Sequence, residues 1–379
     1  MSKPYDNNNN EEVLDEEPKN IILSMISQLG TNMDLSRVTL PTFVLEPRSF
    51  TERVTDFMLH PDILVESSNA TDPIQRFILI VKYYMSGWHI HPKGVKKPYN
   101  PVLGEFFRND CQIENKSKFY FVSEQVSHHP PITAFTNYCP DEGIYIKGDM
   151  RPRGKFLGNS VSVHLGGSSE IFLSKHDENY SVNYPNMYTR GVLFGKMVLE
   201  MGDKAHITCK KLDLIYKVEF KTKGFFSGQY NEVAGKIKRI STDEVLYEIS
   251  GNWQHKMTIL NKKTKVSEVL FDSSTENITK LNVADIDSQE DNESRRKWRF
   301  VTKALANRNL DQATEEKTKI EEEQRESIKE RKSKNIEWKP RFFYLGKDEK
   351  YHPKLEFSSL TGDNSENNSK VQNFIFSKP

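Results

Sequence analysis

Apolar and polar residues alternate with a period of two in many short stretches between about residue 100 and about residue 290, and this pattern limits the folds open to the chain. In Asp213–Lys221, the side chains of Leu214, Tyr216, Val218 and Phe220 fall on one face of an extended chain, with charged residues on the other. This alternation predicts a half-buried β-strand. Similar runs are found at Phe119–Val122, Ile132–Tyr138, Gly143–Lys147, Ser160–Leu165, Glu170–Leu173, Val192–Glu200, His206–Cys209, Glu232–Arg239 and Val245–Ile249.

Turn-forming residues separate these runs. Gly, Pro, Asn and Asp recur between them at intervals of roughly 8–12 residues. No helical pattern lies between the strands, which disfavours a doubly wound parallel sheet. The predicted fold is therefore mainly β with flanking helices, built on a large antiparallel barrel or a sandwich. A barrel of well over eight strands is too wide for its own side chains to fill, so it would enclose a cavity for a ligand.

Two helices are predicted before the strands. The first is a short amphipathic helix that begins after Pro18 and ends at Gly30. Its apolar residues are Ile21, Ile22, Met25, Ile26 and Leu29. The second follows the start signal Thr71–Pro73 and is expected to be a core helix. Its apolar residues are Ile74, Phe77, Ile78, Val81, Met85 and Trp88.

The composition changes again after about residue 290. Arg295–Phe300 is a basic and aromatic cluster, and Asp311–Lys334 is a charge-dense segment with a thin apolar stripe, which predicts a helix with one face against the body. An apolar and aromatic stretch follows and then a polar tail over Thr361–Lys370.

Charge and composition exclude several classes of protein. The chain has 54 Lys and Arg against 53 Asp and Glu, so whole-molecule attraction to nucleic acid is not expected. No run approaches the roughly 18 apolar residues of a membrane span. The N-terminal residues lack a secretory signal, and residues 1–20 read as a disordered segment with six acidic and two basic residues, so the cytosol is the expected compartment. Cys111, Cys139 and Cys209 are widely spaced and are expected to be reduced structural thiols.

The string EQVSHHPP at 124–131 is unusual because two prolines end a strand directly after two imidazoles. Metal binding is one possible role, although neighbouring strand residues point to opposite faces and no partner cluster has ligand spacing. Catalysis by a histidine base with Ser123 or Ser127 is a second, although no GxSxG elbow is present and only Glu124 could orient a ring. Anion recognition by His128 and His129 is the third. A locally satisfied pair at a turn is the plain alternative.

Two further strings carry cations. Lys93–Glu105 is a loop punctuated by Pro and Gly that contains Lys96, Lys97 and the Asn100 amide, and it could be an ordinary solvated loop. In the C-terminal helix, Lys317, Glu321 and Arg325 are spaced at i, i+4 and i+8 and so lie on one stripe, where Glu321 could bridge both cations. An exposed salt-bridge ladder would have the same spacing. Together the three strings could form a pocket for an inositol phosphate.

EQVSHHPP, with KPYNPVLGE upstream and Lys317, Glu321 and Arg325 downstream, resembles the oxysterol-binding-protein-related family. The strings Leu35–Phe43 and Arg341–Phe343 also fit, and the resemblance runs from about Asn20 to about Phe357. It implies a nearly closed antiparallel barrel around a lipid tunnel with an N-terminal lid. The chain is most similar to the short, single-domain yeast branch that exchanges phosphatidylserine for phosphatidylinositol 4-phosphate. A sterol exchanger and a phosphoinositide sensor without net transfer are the alternatives.

The resemblance also implies residue roles. It assigns the phosphoinositide headgroup to Lys97, Asn100, His128, His129, Lys317, Glu321 and Arg325. It assigns the lid and the second lipid to Ile21, Ile22, Met25, Ile26, Leu29, Leu35, Val38 and Leu40. It implies a monomeric, non-enzymatic protein without cofactor or metal, peripheral at contact sites between the endoplasmic reticulum and the plasma membrane.

Within a single lipid-binding domain, the predicted divisions are 1–40 for the acidic terminus and lid, 41–100 for helices packing on the barrel, 101–290 for the barrel, and 291–379 for a C-terminal helical region and tail. Transient contact with anionic membranes is expected. The candidate docking segments are Lys210–Lys211, Lys221–Phe226 and Arg295–Arg299.

Overall fold

The computed structural model describes residues 42–90, 95–113, 117–192, 197–224 and 228–378. The predicted lid helix and the positions from Ile21 to Leu40 lie outside the described residues. The helices are α1 (Phe50–Arg53), α2 (Pro61–Asn69), α3 (Pro73–Ser86), α4 (Ser294–Lys297), α5 (Arg299–Ala306), α6 (Leu310–Ser333) and α7 (Asn364–Phe376). None of these helices is long and apolar enough to cross a membrane.

The described residues contain nineteen strands, fifteen of which form one sheet. They are β1 (Leu45–Ser49), β2 (Lys97–Tyr99), β3 (Phe106–Ile113), β4 (Ser117–His128), β5 (Pro131–Cys139), β6 (Ile144–Met150), β7 (Arg153–Phe156), β8 (Ser160–His164), β9 (Ser168–Leu173), β10 (Glu178–Val182), β11 (Asn186–Arg190), β12 (Val198–Cys209), β13 (Leu214–Lys221), β14 (Glu232–Arg239), β15 (Val245–Asn252), β16 (Lys256–Asn261), β17 (Ser267–Asp272), β18 (Phe343–Leu345) and β19 (Tyr351–Pro353).

The large sheet is antiparallel throughout and confirms the predicted mainly β fold. Its main path runs β17-β16-β15-β14-β13-β12-β10-β9-β6-β5-β4-β3, and β11, β8 and β7 branch from β12. In the part of the chain that the structure describes, the end strands β3 and β17 do not pair with each other, so the ring of strands is left open there. On β13, Leu214, Tyr216, Val218 and Phe220 are buried, as the alternation predicts. Lys217, Glu219 and Lys221 on the other face are exposed.

The helix α3 packs against this sheet and confirms the predicted core helix. Its N-terminus is capped by Asp72, whose carboxylate accepts hydrogen bonds from two backbone N–H groups at 2.7 and 2.8 Å. Phe77 lies 6.0 Å from Tyr180 between ring centres, and Trp88, just after the helix, lies 5.9 Å from Phe220. The helical stripe therefore enters the same apolar core as strands β10 and β13.

One predicted strand break is wrong. The runs 192–200 and 206–209 were expected as separate strands, but β12 runs without a break from Val198 to Cys209, with Gly202 inside the strand. A side chain at Gly202 would meet the ring of Tyr188 at 2.6 Å, so the glycine is there for close packing and does not mark a turn. The polar tail, for which no element was predicted, contains α7, and this helix buries Val371 and Ile375 against a second core that includes Phe342 and Phe343.

The three thiols are free and buried, which confirms that they are structural. Burial raises the pKa of Cys111 to about 12, so this thiol stays protonated near neutral pH.

Candidate functional site

A cavity of about 330 Å³ opens between the sheet, the α1 region and β2. Most of its wall is apolar, with Phe57, Trp88 and Trp253 on one side. Four methionines, Met150, Met187, Met197 and Met201, also line it. Methionine is unbranched and polarizable and adapts to irregular shapes. The interior therefore suits an apolar ligand of variable shape.

One wall of the cavity is polar. Lys96, Lys97 and Asn100, in and beside β2, line it together with Pro101. Lys97 and Asn100 are exposed, which places this wall at the solvent side of the cavity. The loop that follows ends at Glu105 and belongs to the KPYNPVLGE string.

Glu105 fixes this loop to the body of the protein. Its carboxylate is fully buried and accepts hydrogen bonds from the Trp298 indole N–H at 2.8 Å, the Thr51 hydroxyl at 3.0 Å and the Val102 backbone N–H at 3.1 Å. Burial raises the pKa of Glu105, and these donors act in the opposite direction by favouring the ionised form. The position of the loop is thus set by contacts nearly 200 residues away in sequence.

The two imidazoles stand at the end of β4. The Nδ1 atom of His128 lies 3.0 Å from the carbonyl oxygen of Pro101. Because a carbonyl oxygen can only accept, Nδ1 carries the proton and Nε2 is left as the nitrogen available to a ligand. The ring of His129 lies 4.5 Å from that of His128, nearly perpendicular to it. Burial lowers the pKa of His128, as does the charge of His129, whereas the Pro101 carbonyl and Glu321 raise it.

The helix α6 brings further charges to this wall. Lys317 and Glu321 form an ion pair at 2.7 Å, as predicted from their i, i+4 spacing. The pKa of Lys97 is lowered first by desolvation and then by the charge of Lys317, and Glu321 opposes both. Gln324 fixes the helix in place by accepting a hydrogen bond from the Leu103 backbone N–H at 2.9 Å.

The structure thus brings most of the predicted site residues together. Lys97, His128, Lys317 and Glu321 interact electrostatically, His129 contacts His128, and Asn100 lies on the same cavity wall.

Arg325 departs from the prediction. Its guanidinium is 60% exposed and lies 3.8 Å from Glu322, so Glu321 does not bridge Lys317 and Arg325. Eight helical residues rise about 12 Å, which carries Arg325 two turns along α6 from Lys317 even though both lie on one stripe.

Sequence reasoning missed polar residues deeper in the cavity. Gln125 is buried, donates to the Ser127 carbonyl at 2.9 Å and accepts from the Thr133 hydroxyl at 2.5 Å, and both Gln125 and Thr133 line the cavity. Arg53 and Asp56 also line it and form an ion pair. Gln125 stands inside EQVSHHPP, so its presence in that string was the available signal.

The groups invoked for catalysis have other partners. Glu124 is buried and accepts from the backbone N–H groups of Arg341 and Phe342 at 2.7 and 2.8 Å, so it does not orient either imidazole. The Ser123 hydroxyl donates to the Thr51 carbonyl and the Ser127 hydroxyl donates to the Pro130 carbonyl, both at 2.7 Å. The described side chains thus give no nucleophile and base pair at this site.

Comparison with known proteins identifies the family. The family model of the oxysterol-binding proteins matches residues 23–368. The chain belongs to the oxysterol-binding protein family. It is 46% identical over 351 residues to oxysterol-binding protein homolog C23B6.01c of Schizosaccharomyces pombe, covering 90% of this chain and 73% of that protein. It is 42% identical over 341 residues to oxysterol-binding protein homolog 6 of Saccharomyces cerevisiae, covering 88% and 75%.

Solved structures of oxysterol-binding proteins share the fold. The Osh3 ORD in complex with PI(4)P from Saccharomyces cerevisiae superposes with a TM-score of 0.69 at 20% identity, covering 88% of this chain and 90% of that one. The Osh1 ORD domain in complex with ergosterol gives a TM-score of 0.70 at 22% identity, covering 91% and 88%. As a member of this family, the chain belongs to a group of lipid-binding and lipid-transfer proteins.

Proposed function

We propose that this protein exchanges phosphatidylserine for phosphatidylinositol 4-phosphate between membranes, holding one lipid at a time in the cavity and changing neither chemically. The observation that carries the proposal is the gathering of Lys97, His128, Lys317 and Glu321 at the solvent side of an apolar cavity. An apolar interior suits acyl chains and a cationic rim suits a phosphate. A phosphorylated lipid has both parts.

The headgroup is held at the rim. Lys97 and Lys317 supply ammonium charge to the phosphate, and His129 and a His128 ring that is protonated at Nε2 supply further donors. The Glu321 carboxylate accepts hydrogen bonds from inositol hydroxyl groups, and the Asn100 amide donates to them. Arg325, at the outer end of the stripe, leaves Glu322 to reach the phosphate.

The cavity removes the main barrier to transfer. Exposing acyl chains to water costs about 0.8 kcal/mol per CH₂, so unassisted transfer is slow. Two lipids that share one cavity compete for it, and a gradient of one can therefore drive the other. Residues from Ile21 to Leu40 close the entrance in this proposal, with Leu40 beside the second lipid. The protein acts peripherally, between the endoplasmic reticulum and the plasma membrane.

A matched pair of variants on one helix tests the headgroup site. Lys317 is 12% exposed, pairs with Glu321 and is near enough to Lys97 to lower its pKa, whereas Lys319 is 52% exposed and pairs with Glu315 and Glu316. Lys317→Ala should reduce extraction of phosphatidylinositol 4-phosphate from vesicles at least about tenfold, the loss expected for one charge-assisted contact. Lys319→Ala should extract it as the parent does. Equal effects of both substitutions would contradict the assignment.

The second lipid is tested in the same vesicles. His128→Ala together with His129→Ala should abolish phosphoinositide extraction and spare transfer of fluorescent phosphatidylserine, because only the phosphoinositide needs those donors. Leu40→Asp should do the reverse, since it places a charge beside apolar groups. Transfer of a sterol in place of the serine lipid would favour the sterol exchanger. Binding without any net transfer between donor and acceptor vesicles would favour a sensor.

A further inference from the structure

The charged residues of the segment from Ser294 to Leu310 are all basic. It contains six Lys and Arg and no Asp or Glu, in a chain whose net charge is only +1. The cations are Arg295, Arg296, Lys297, Arg299, Lys303 and Arg308. Such a segment attracts an anionic partner only if its charges are not already neutralised within the protein.

Ion pairs divide these cations into two groups. Arg295 pairs with Glu52 at 2.7 Å, which holds α4 to the body, and Arg296 pairs locally with Asp291 at 2.9 Å. Two cations of the candidate docking segment Arg295–Arg299 therefore already have partners. Within the described ranges, no carboxylate forms an ion pair with Lys297, Arg299, Lys303 or Arg308. Three of these four cations, Arg299, Lys303 and Arg308, lie on α5 and on the turn into α6.

Apolar side chains accompany these charges. Phe300 is 51% exposed, with the Arg299 guanidinium 4.3 Å from its ring centre, and Leu310 at the start of α6 is 41% exposed. Val301 and Ala304, the buried residues of α5, pack toward the body of the protein. An aromatic ring flanked by cations on the outer face of an amphipathic helix is typical of helices that lie at a lipid interface.

The same helix is joined to the cavity wall. The ring of Tyr99, which lines the cavity, stacks on that of Trp298 with 4.6 Å between centres, and its hydroxyl lies 2.9 Å from that of Thr302 in α5. Thr42 meets the start of α6 through its contact with Thr314 at 3.1 Å. A membrane that contacts α5 would therefore lie beside the cavity opening.

We propose that Arg299, Phe300, Lys303, Arg308 and Leu310, named here the α5 surface, dock the protein onto an anionic lipid bilayer. The unpaired cations attract the negative surface and Phe300 and Leu310 enter the interface. Because Tyr99 joins α5 to the cavity wall, docking in this orientation places the cavity opening toward the bilayer. The inference adds a membrane contact to the proposed function. Only the purpose of docking rests on that function, because docking itself needs no lipid exchange.

The test uses the full chain and vesicles of phosphatidylcholine with 30 mol% phosphatidylserine, without phosphoinositide, an experimental composition of about physiological surface charge. Arg299→Glu with Lys303→Glu should reduce vesicle co-sedimentation about tenfold or more, and Phe300→Ser should reduce it severalfold even at high salt. The matched control is Lys329→Glu with Lys332→Glu, which makes the same charge change at the far end of α6, about 28 Å along the helix from Leu310. The control should lose less than half as much binding.

Binding of a short-chain, water-soluble phosphatidylinositol 4-phosphate separates this inference from the proposed function. It should be unchanged in the Arg299→Glu and Lys303→Glu protein. Equal sedimentation of this variant and the parent would overturn the docking surface. The same result is expected if the true partner is an acidic protein, because vesicle binding would then not depend on these residues. Loss of soluble-lipid binding along with vesicle binding would also overturn it, since the effect would be general. A parent that docks but transfers no lipid would refute the exchange function and leave the α5 surface standing.

Discussion

The Nδ1 atom of His128 donates to the carbonyl oxygen of Pro101 at 3.0 Å, joining the end of β4 to the loop that carries Lys97 and Asn100. This bond fixes the tautomer of the ring, so a neutral His128 offers an acceptor at Nε2, and only a protonated ring offers a second donor. The proposed phosphate ligand is an acceptor. Headgroup binding and protonation of His128 should therefore be coupled.

We accordingly expect phosphoinositide affinity to rise as the pH falls from 8 toward 6. The pKa of His128 is lowered from 6.5 in the free protein, mainly by burial, so the ring is mostly neutral at pH 7.5, and binding must raise this pKa and take up protons. Titration calorimetry in two buffers of different ionisation enthalpy measures this uptake. His128→Gln should flatten the pH dependence and lose the uptake. An affinity that is independent of pH in the parent protein would show that His128 does not donate to the phosphate.

Glu105 should be required for both stability and headgroup binding. Glu105→Ala leaves the buried donors of Trp298, Thr51 and Val102 without an acceptor, and we expect a loss of about 2–4 kcal/mol in the free energy of unfolding. Glu105→Gln keeps one acceptor oxygen and should lose less. Urea unfolding gives both values, with the exposed Glu326→Ala as the control expected near zero. If Glu105→Ala were as stable as the parent, the loop would not depend on this carboxylate.

Much of the fold was predictable because the spacing of apolar residues along the chain indicates the strands and helices. The alternation on β13 and the helical stripe of α3 both appear in the structure as the sequence predicts. The continuity of β12 was not predictable, because the reason for Gly202 is the ring of Tyr188 on a neighbouring strand. The helix α7 was missed because it has only a few apolar residues, and the core that buries Val371 is built from distant strands.

The candidate site was predictable as a set of residue types and not as a geometry. The contact of Pro101 with His128 depends on the register of β3, β4 and β5, which no local pattern contains. The two acidic residues of the motifs show the same limit. Glu105 and Glu124 bind Trp298 and the backbone at Arg341, about 200 residues away, so their structural roles appear only in the folded chain.

A buried histidine pair should make the protein less stable in acid. His60 and His89 face each other with 2.9 Å between their Nε2 atoms, so one nitrogen donates and the other must be unprotonated. Burial lowers the pKa of His60 below 6.5, with Asp62 and Glu276 opposing this and Lys82 adding to it. The unfolded chain therefore binds more protons than the folded one as the pH falls below 6.5, and stability is lost in that direction.

This loss can be isolated by difference. Urea unfolding of the parent and of His60→Asn at pH 7.5 and 5.5 should show a steeper decline in the parent, by about 1 kcal/mol. His255→Asn, at a surface-exposed turn, should follow the parent. If all three proteins declined equally, the histidine pair would not be the acid-sensitive element.

Filling the cavity should separate acyl-chain binding from headgroup binding. Val163 on β8 lines the cavity and is only half-buried, so Val163→Trp can project into the free volume at a cost of about 1–3 kcal/mol in stability. We expect extraction of long-chain phosphatidylinositol 4-phosphate to fall at least about tenfold, since a few lost CH₂ contacts suffice for that. Binding of the water-soluble inositol 1,4-bisphosphate should be unchanged, because Lys97, His128 and Lys317 lie at the rim. Val269→Trp, on the exposed edge strand β17, is the matched control and should extract lipid as the parent does. Normal extraction by the Val163→Trp protein would mean that the acyl chains lie elsewhere.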